Sequence, residues 1–200
     1  AFHVPLSASA QKEAREIIAS NKNLLKPGSG DPIVEMRMDI VIGSYWVTKL
    51  RPKAGVEIKI YPSPNAAIMA YDFGEVNLQQ PIKLVGGNPD KYKELSGQIF
   101  ETTVGRILFN NTLPSDFVFI NKEITGGEIS KIVDQLILTY GIERMPDILD
   151  KVKSFGFKFA TKSGITWGID DVQVPAGKKA IVAEARKEAL NIEEKYNEGL

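Results

Sequence analysis

The chain has no cysteine among its 200 residues, and that absence decides how any fold it adopts must be held together. Disulfides, thiolate zinc sites and cysteine nucleophiles are all removed, so order has to come from buried apolar surface and backbone hydrogen bonds. A single histidine, His3, takes away most of the remaining metal and Ser-His chemistry. With 43% apolar and 25% charged residues, the composition is that of a globular protein rather than a disordered tail or a fibre. The length suits one ordinary domain, or a large one with pieces of its neighbours. No stretch approaches the ~18–20 apolar residues of a membrane helix, and AFHVPLSASAQK lacks the basic and apolar segments of a secretion signal. The chain reads as soluble and unexported.

Charge narrows the partners. Lys and Arg number 25 and Asp and Glu number 25, whereas a free-standing nucleic-acid binder carries a basic excess to neutralise phosphates. The balance is also local: residues 1–50 hold 6 basic and 5 acidic side chains, 51–100 hold 6 and 5, and 175–200 hold 5 and 5. Residues 101–150 are acidic, 4 against 8, which argues against duplex DNA lying along them. If the protein works on nucleic acid, another part of an assembly supplies the field.

Pro5 keeps the opening residues extended. Ser7 or Ser9 then caps a helix to about Asn21, with Ala10, Ala14, Ile17 and Ile18 as its buried stripe. Pro27, Gly28, Gly30 and Pro32 end it. Asp39 caps a short helix whose side is Ile42, Tyr45, Trp46 and Lys49. VEIKIY (56–61) alternates and reads as a strand. A helix follows with Ser63 as cap, Pro64 at its first position and Gly74 as its stop. PIKLV and GQIFETTVG read as two more strands, separated by the loop GGNPDKYKELS, and TTVGRILFNNTLP as a short helix closed by Pro114. Beyond 115 the pattern is helical. Ile129, Ile132, Val133, Leu136 and Tyr140 precede Gly141; Ile148, Leu149, Val152 and Phe155 follow Pro146. After the loop SGITWGIDDVQVPAG, a helix from about Lys178 to Asn197 carries Val182, Ala185, Ala189, Ile192 and Tyr196 as a heptad seam. That seam reads as a helix needing a partner, in a chain open at both ends. The fold class predicted is α+β and helix-rich, a multi-helix arrangement with a few short strands belonging to something larger.

Chemistry does not emerge from these residues. Asp170–Asp171 is either a metal or acid–base dyad or a loop in which one aspartate satisfies backbone N–H groups. With no histidine or third carboxylate nearby in sequence, the loop is favoured. Gly28–Gly30, Gly86–Gly87 and Gly126–Gly127 match neither GxxxxGK[ST] nor GxGxxG, so turns explain them better than phosphate loops. Arg106 and Arg37 each have the reach for a phosphate or a carboxylate; for Arg106 a structural ion pair is favoured. His3 reads as a hydrogen-bonded core or boundary residue, and Trp46 and Trp167 as packing anchors.

Three ordered blocks carry a resemblance. The first is AFHVPLSASAQKEAREIIASNKNLLKPGSGDPIVEMRMDIVIGSYWVT. The second is TTVGRILFNNTLP with FINKEI after it. The third is GFKFATKSGITWGIDDVQVP, leading into IEEKYNEGL. Together they resemble the bacterial RNA polymerase β′ subunit just after its catalytic motif, where the family reads VHVPLS-x-x-AQ-x-EA, then N-[IL]-L-x-P-x-x-G-x-P-I and QD-x-V-x-G-x-Y-x-x-T. Residues 50–95 are the weakest part. This chain departs where the family commonly reads PSQD, with MRMD at Met36 to Asp39. It departs again with Lys22 inside an asparagine turn, and with KPGSG in place of SPANG-like loops.

The resemblance implies that the magnesium-binding NADFDGDQMA loop of that family lies immediately before Phe2. The parent enzyme's Mg2+ is then bound outside these residues, with no metal and no catalytic residue within them. It further implies three parts: residues 1–20 as the trailing edge of a double-psi barrel, 21–176 as a pore domain lining the secondary channel, and 177–200 as the start of a funnel helix. Lys22, Asn23, Arg37 and Met38 become candidates for channel-facing residues. The partners implied are the β subunit, the rest of β′, nucleoside triphosphates and the RNA 3′ end in the channel, and DNA only through the whole complex, in the bacterial cytoplasm at the nucleoid. The rival is a stand-alone helix-rich adaptor derived from this domain. A separate nucleotide-binding enzyme is disfavoured by the missing phosphate loop.

Overall fold

A computed structural model describes residues 2–85, 90–95 and 97–199. They divide into two compact units, Ala1–Gly164 and Ile165–Leu200. The architecture is helix-rich with one three-stranded sheet, as the periodicities predict. The expected turn at Gly86–Gly87 lies outside the described residues.

In the first unit, α1 (Ala8–Glu13) starts at Ser7, whose hydroxyl accepts a hydrogen bond from the Ala10 amide at 3.2 Å. It passes directly into a π-helical turn over Ala14–Ile18. The expected stripe is not buried: Ile17 and Ile18 are exposed. The wider turn carries side chains round the axis more slowly than an α-helix, so the three- and four-residue spacings no longer share a face. His3, too, is exposed.

Helix α2 (Asp39–Thr48) departs from expectation in an instructive way. It buries Gly43, Ser44, Val47 and Thr48 rather than the side bearing Ile42, Tyr45, Trp46 and Lys49. Small residues are buried because backbones meet there. A Cβ on Gly43 would stand 1.9 Å from the Gly156 carbonyl oxygen, and one on Gly156 would stand 2.6 Å from the Ile40 Cα. A Cβ on Gly105 would lie 1.8 Å from the Val47 carbonyl oxygen. Asp39 is the first helical residue rather than the cap; that position belongs to Met38.

The sheet runs β1 (Ile60–Tyr61), β2 (Pro81–Val85), β3 (Ile99–Thr103), with β1 parallel and β3 antiparallel to the central β2. Ile82 and Leu84 on β2 are fully buried while Lys83 between them is exposed, the alternation of a half-covered strand. The strand expected over 56–61 shrinks to its last two residues, because β2 offers partners only to Ile60 and Tyr61. Helix α3 (Pro64–Asp72) follows β1, with the Ser63 hydroxyl accepting from the Ala66 amide and Gly74 at φ +77° beyond its end.

Helix α4 (Val104–Asn110) is capped by Thr103, α5 (Gly126–Tyr140) by Thr125, and α6 (Met145–Ser163) ends at Gly164 in the left-handed region. Two apolar clusters result. One joins the buried face of α5 to Met145, Ile148, Leu149 and Val152 of α6. The other joins Val47, the sheet residues Ile82 and Leu84, Ile107 and Phe159. Phe155 packs against both clusters, with its ring 5.8 Å from Phe109 and 4.5 Å from Phe159.

In the second unit, α7 (Lys178–Asn197) has the predicted limits. None of the described residues of this unit is buried; Val182, Ala185, Ala189, Ile192 and Tyr196 all face solvent, and Trp167 is 77% exposed rather than a packing anchor. The Asp171 carboxylate accepts from the Gly168 amide at 2.7 Å, the loop role expected for this pair. Among the described residues, no helix is long and apolar enough to cross a membrane.

Candidate functional site

Lys22 and Asn23 close the first turn region. Lys22 reaches across to Glu143, ahead of α6, with Nζ 3.0 Å from a carboxylate oxygen. The Asn23 amide donates to the Ile17 and Ala19 carbonyls at 2.6 and 3.1 Å, which ties off the π-helical turn. The loop beyond is pinned by an Ile33 N–H bond to the Leu24 carbonyl at 2.8 Å and by Ser29 donating to Asp31 at 2.7 Å.

Arg37 pairs with Glu35, two residues back. Met38 is the one non-glycine residue with positive φ among those described, at φ +50° and ψ −122°. With the Ile40 amide bonded to the Arg37 carbonyl at 3.2 Å, it occupies the first central position of a turn that favours glycine. Its side chain is 81% exposed.

The two predicted segments come to one place. A cleft of about 380 Å3 lies between residues 20–24, residues 34–40 and the first turns of α6. The four predicted residues do not line it. Their neighbours do: Asn21 and Leu24 from the first segment, Glu35 and Met36 from the second, with Asp150 and Lys153 opposite. Lys22, Asn23, Arg37 and Met38 stand on the rim segments. Leu24, Val34 and Met36 are the residues missed; their apolar character inside loop sequence was the available signal. Nothing in the sequence announced Glu143 as the partner of Lys22.

A buried polar network at the far end of α2 joins the sequence blocks. Arg106 Nε donates to the Thr48 carbonyl at 3.0 Å, and its Nη1 donates to the Asn121 backbone and side-chain oxygens at 3.2 and 3.0 Å. Among the described residues Arg106 makes no ion pair, where one was expected. Burial lowers its pKa, while Glu123 and Glu101 oppose the change from a distance. The Thr48 hydroxyl donates to Ser44 O at 2.7 Å and accepts from the Ile124 amide at 2.9 Å. Asn110 bonds both the Arg106 and Ile120 carbonyls and accepts from the Ile120 amide. The GSYWVT, TTVGRILFNN and FINKEI segments are thus one hydrogen-bonded unit, and GFKFAT enters through Gly156 against α2. Beside it, Lys91 is buried with its ammonium on the Asn110 and Leu113 carbonyls. Desolvation pushes its pKa down to about 8, against the attraction of Asp116.

Among the described residues, no group of three or more His, Asp or Glu side chains could hold a metal. The arrangement is a rigid frame with charged loops on its surface.

The family model described as RNA polymerase Rpb1, domain 3, matches residues 23–172. The β′ subunit of the DNA-directed RNA polymerase of Desulforudis audaxviator is 40% identical over 200 residues, covering 100% of this chain and 17% of that subunit. The Thermobifida fusca β′ subunit is 38% identical over 210 residues (100% and 16%), and that of Salinispora tropica 40% over 215 (100% and 17%). The chain therefore spans about one sixth of the length of these relatives. The polar network that ties its motifs together and the family match across three quarters of its length agree: this chain belongs to the RNA polymerase Rpb1 domain 3 family, in the form carried by bacterial β′ subunits.

Proposed function

We propose that these residues are a segment of a β′ subunit that takes part in template-directed RNA synthesis. In this reading residues 21–176 form the pore domain that lines the channel through which nucleotides arrive and into which the RNA 3′ end backs. Residues 1–20 are the trailing edge of the catalytic barrel and 177–200 the start of a funnel helix. The observation that carries the reading is full coverage of the chain by β′ relatives at up to 40% identity.

The physical role is framing. A conduit for a polyanion needs attraction without capture. Lys22 and Arg37, the two candidate channel cations, are each paired with a glutamate, which leaves a shallow field rather than a trap. Asn23 and Met38 complete the channel-facing set. Magnesium is held by carboxylates outside these residues, and the segment alone incorporates no nucleotide. Its partners are the β subunit and the rest of β′, with DNA engaged through the whole complex on the cytoplasmic nucleoid.

Sequencing the coding DNA upstream of Ala1 tests the assignment. An in-frame NADFDGDQM-type motif is expected; a start codon there with no such motif overturns it and favours an adaptor. The channel is tested in a backtracked complex whose RNA 3′ end carries a photoreactive base. Cross-links at residues 20–24 or 35–40 are expected, and their absence while the RNA end labels other parts of β′ removes the channel placement.

A further inference from the structure

A cavity of about 410 Å3 lies where the first turn of α3 meets the end of α4, with Ser63, Asn65, Lys91, Tyr92 and Asn111 on its wall. Among the described residues, Lys91 is the one charged side chain lining it. The lysine is held in place by its surroundings. Its carbonyl accepts from the Phe119 amide at 2.9 Å, and the next ring, Tyr92, stacks on Phe119 with centroids 4.7 Å apart. Only 6% of the residue is exposed, yet it borders the cavity, so a molecule that enters there meets it.

Lys91 has a structural role: Nζ donates to the Asn110 and Leu113 carbonyls, which ties off the end of α4. Two donors suffice for that role, and an ammonium carries three. Loss of one proton keeps both bonds and leaves an electron pair at the remaining corner of the nitrogen. Burial makes that loss easier, since desolvation lowers the pKa to about 8, while the carboxylate of Asp116, beyond α4, opposes the change. The Tyr92 phenol moves the other way, pushed up to about 12 by burial. Of these two neighbours the amine is therefore the nucleophile, a desolvated lysine of the kind that attacks carbonyl carbon.

We propose that Lys91 is a site of acetylation by a small acyl phosphate that enters this cavity. The neutral Nζ gives its electron pair to the acyl carbon, an N–C bond forms, and the C–O bond to phosphate breaks. Phosphate leaves with that bond's electrons, and the proton shed by nitrogen passes to it or to water. The first turn of α3 is part of the wall, and the positive end of a helix favours the charge that gathers on the leaving oxygen. A volume of 410 Å3 lies within the range of small-ligand sites, about 300–1,000 Å3. Modification has a structural consequence. An acetylated lysine keeps a single N–H, so one of the Asn110 and Leu113 carbonyls loses its donor and the end of α4 loosens. The inference does not depend on the candidate channel residues.

The test treats the native complex containing the full-length polypeptide that carries this chain with acetyl phosphate, and follows each lysine by peptide mass spectrometry. Lys93, exposed two residues further on, is the internal reference. At pH 8 a lysine of pKa about 8 holds about a hundredfold more neutral amine than an ordinary one. Lower basicity and a confined approach reduce that advantage, so acetylation about tenfold faster than at Lys93 is expected. The rate at Lys91 should rise to about pH 8 and level off above about pH 9, where an ordinary lysine keeps climbing. Asp116→Asn, at an exposed position, removes the attraction that retains the proton. It should quicken Lys91 at pH 7 by about two- to threefold and leave Lys93 unchanged. Acetylation of Lys91 no faster than of Lys93 overturns the proposal, as does a rate that climbs without levelling or one that ignores Asp116→Asn.

Discussion

Arg106 shows how backbone and amide oxygens hold a buried charge. Its guanidinium is held by the Thr48 and Asn121 oxygens, so its planar fork fastens three segments by geometry rather than by charge neutralisation. Arg106→Ala leaves those oxygens without donors and opens a cavity. The expected loss is about 1–3 kcal/mol of unfolding free energy, read from urea denaturation. Met38 works in the other direction. Its positive φ costs about 1–3 kcal/mol, and glycine there relieves it at a backbone-entropy cost of about 0.5–1 kcal/mol, so Met38→Gly should raise the urea midpoint. Lys91 makes stability pH-dependent. Its pKa is about 8 in the fold against 10.5 for the ordinary side chain, so between those values the unfolded chain binds more protons. This residue's contribution to stability therefore rises with pH across that window and is flat on either side. Lys91→Met should remove that slope from denaturation midpoints measured at pH 7.5, 9 and 10.5.

At the scale of elements, α2 and α6 meet backbone to backbone. Gly156→Ala drives a methyl group into the Ile40 backbone, and helices cannot part without opening both clusters. We expect a loss of about 3 kcal/mol or more, with thermal denaturation as the check; a loss below about 1 kcal/mol would mean the helices separate freely. This contact also explains what the sequence left unread. Helices α3, α5, α6 and α7 were legible because each carries a cap, a proline or a clear apolar period, and β2 because Ile82 and Leu84 flank Lys83. Helix α2 was placed correctly but turned wrongly, since its buried side is made of Gly43 and Ser44, which pattern reading counts as neutral. The stripe in α1 failed for want of a π-turn signal. The candidate site was legible only as two loops. That they meet at one cleft depends on Glu143 and α6, more than a hundred residues away, and local patterns carry no information at that range.

For the whole molecule, the two units differ in how much they bury. Residues 1–164 enclose both apolar clusters, while no described residue of 165–199 is buried. Stability measured locally should follow that division. Hydrogen exchange followed by mass spectrometry on the isolated chain should show α7 amides exchanging at least about a hundredfold faster than those of α2 and α4, whose opening requires sub-global unfolding. Assembly with a partner along Val182, Ala185 and Ala189 should slow α7 and leave α2 unaffected.

The glycine crossing of α2 and α6 has a consequence during synthesis. The small-residue face of α2 is finished when residue 48 leaves the ribosome, but the segment that covers it arrives only with Gly156, roughly 110 residues later. At ~5–20 residues per second, the helix waits about 5–20 s with Gly43 uncovered. That interval is long enough for a chaperone to find it, so the price of a dense crossing is paid by the nascent chain.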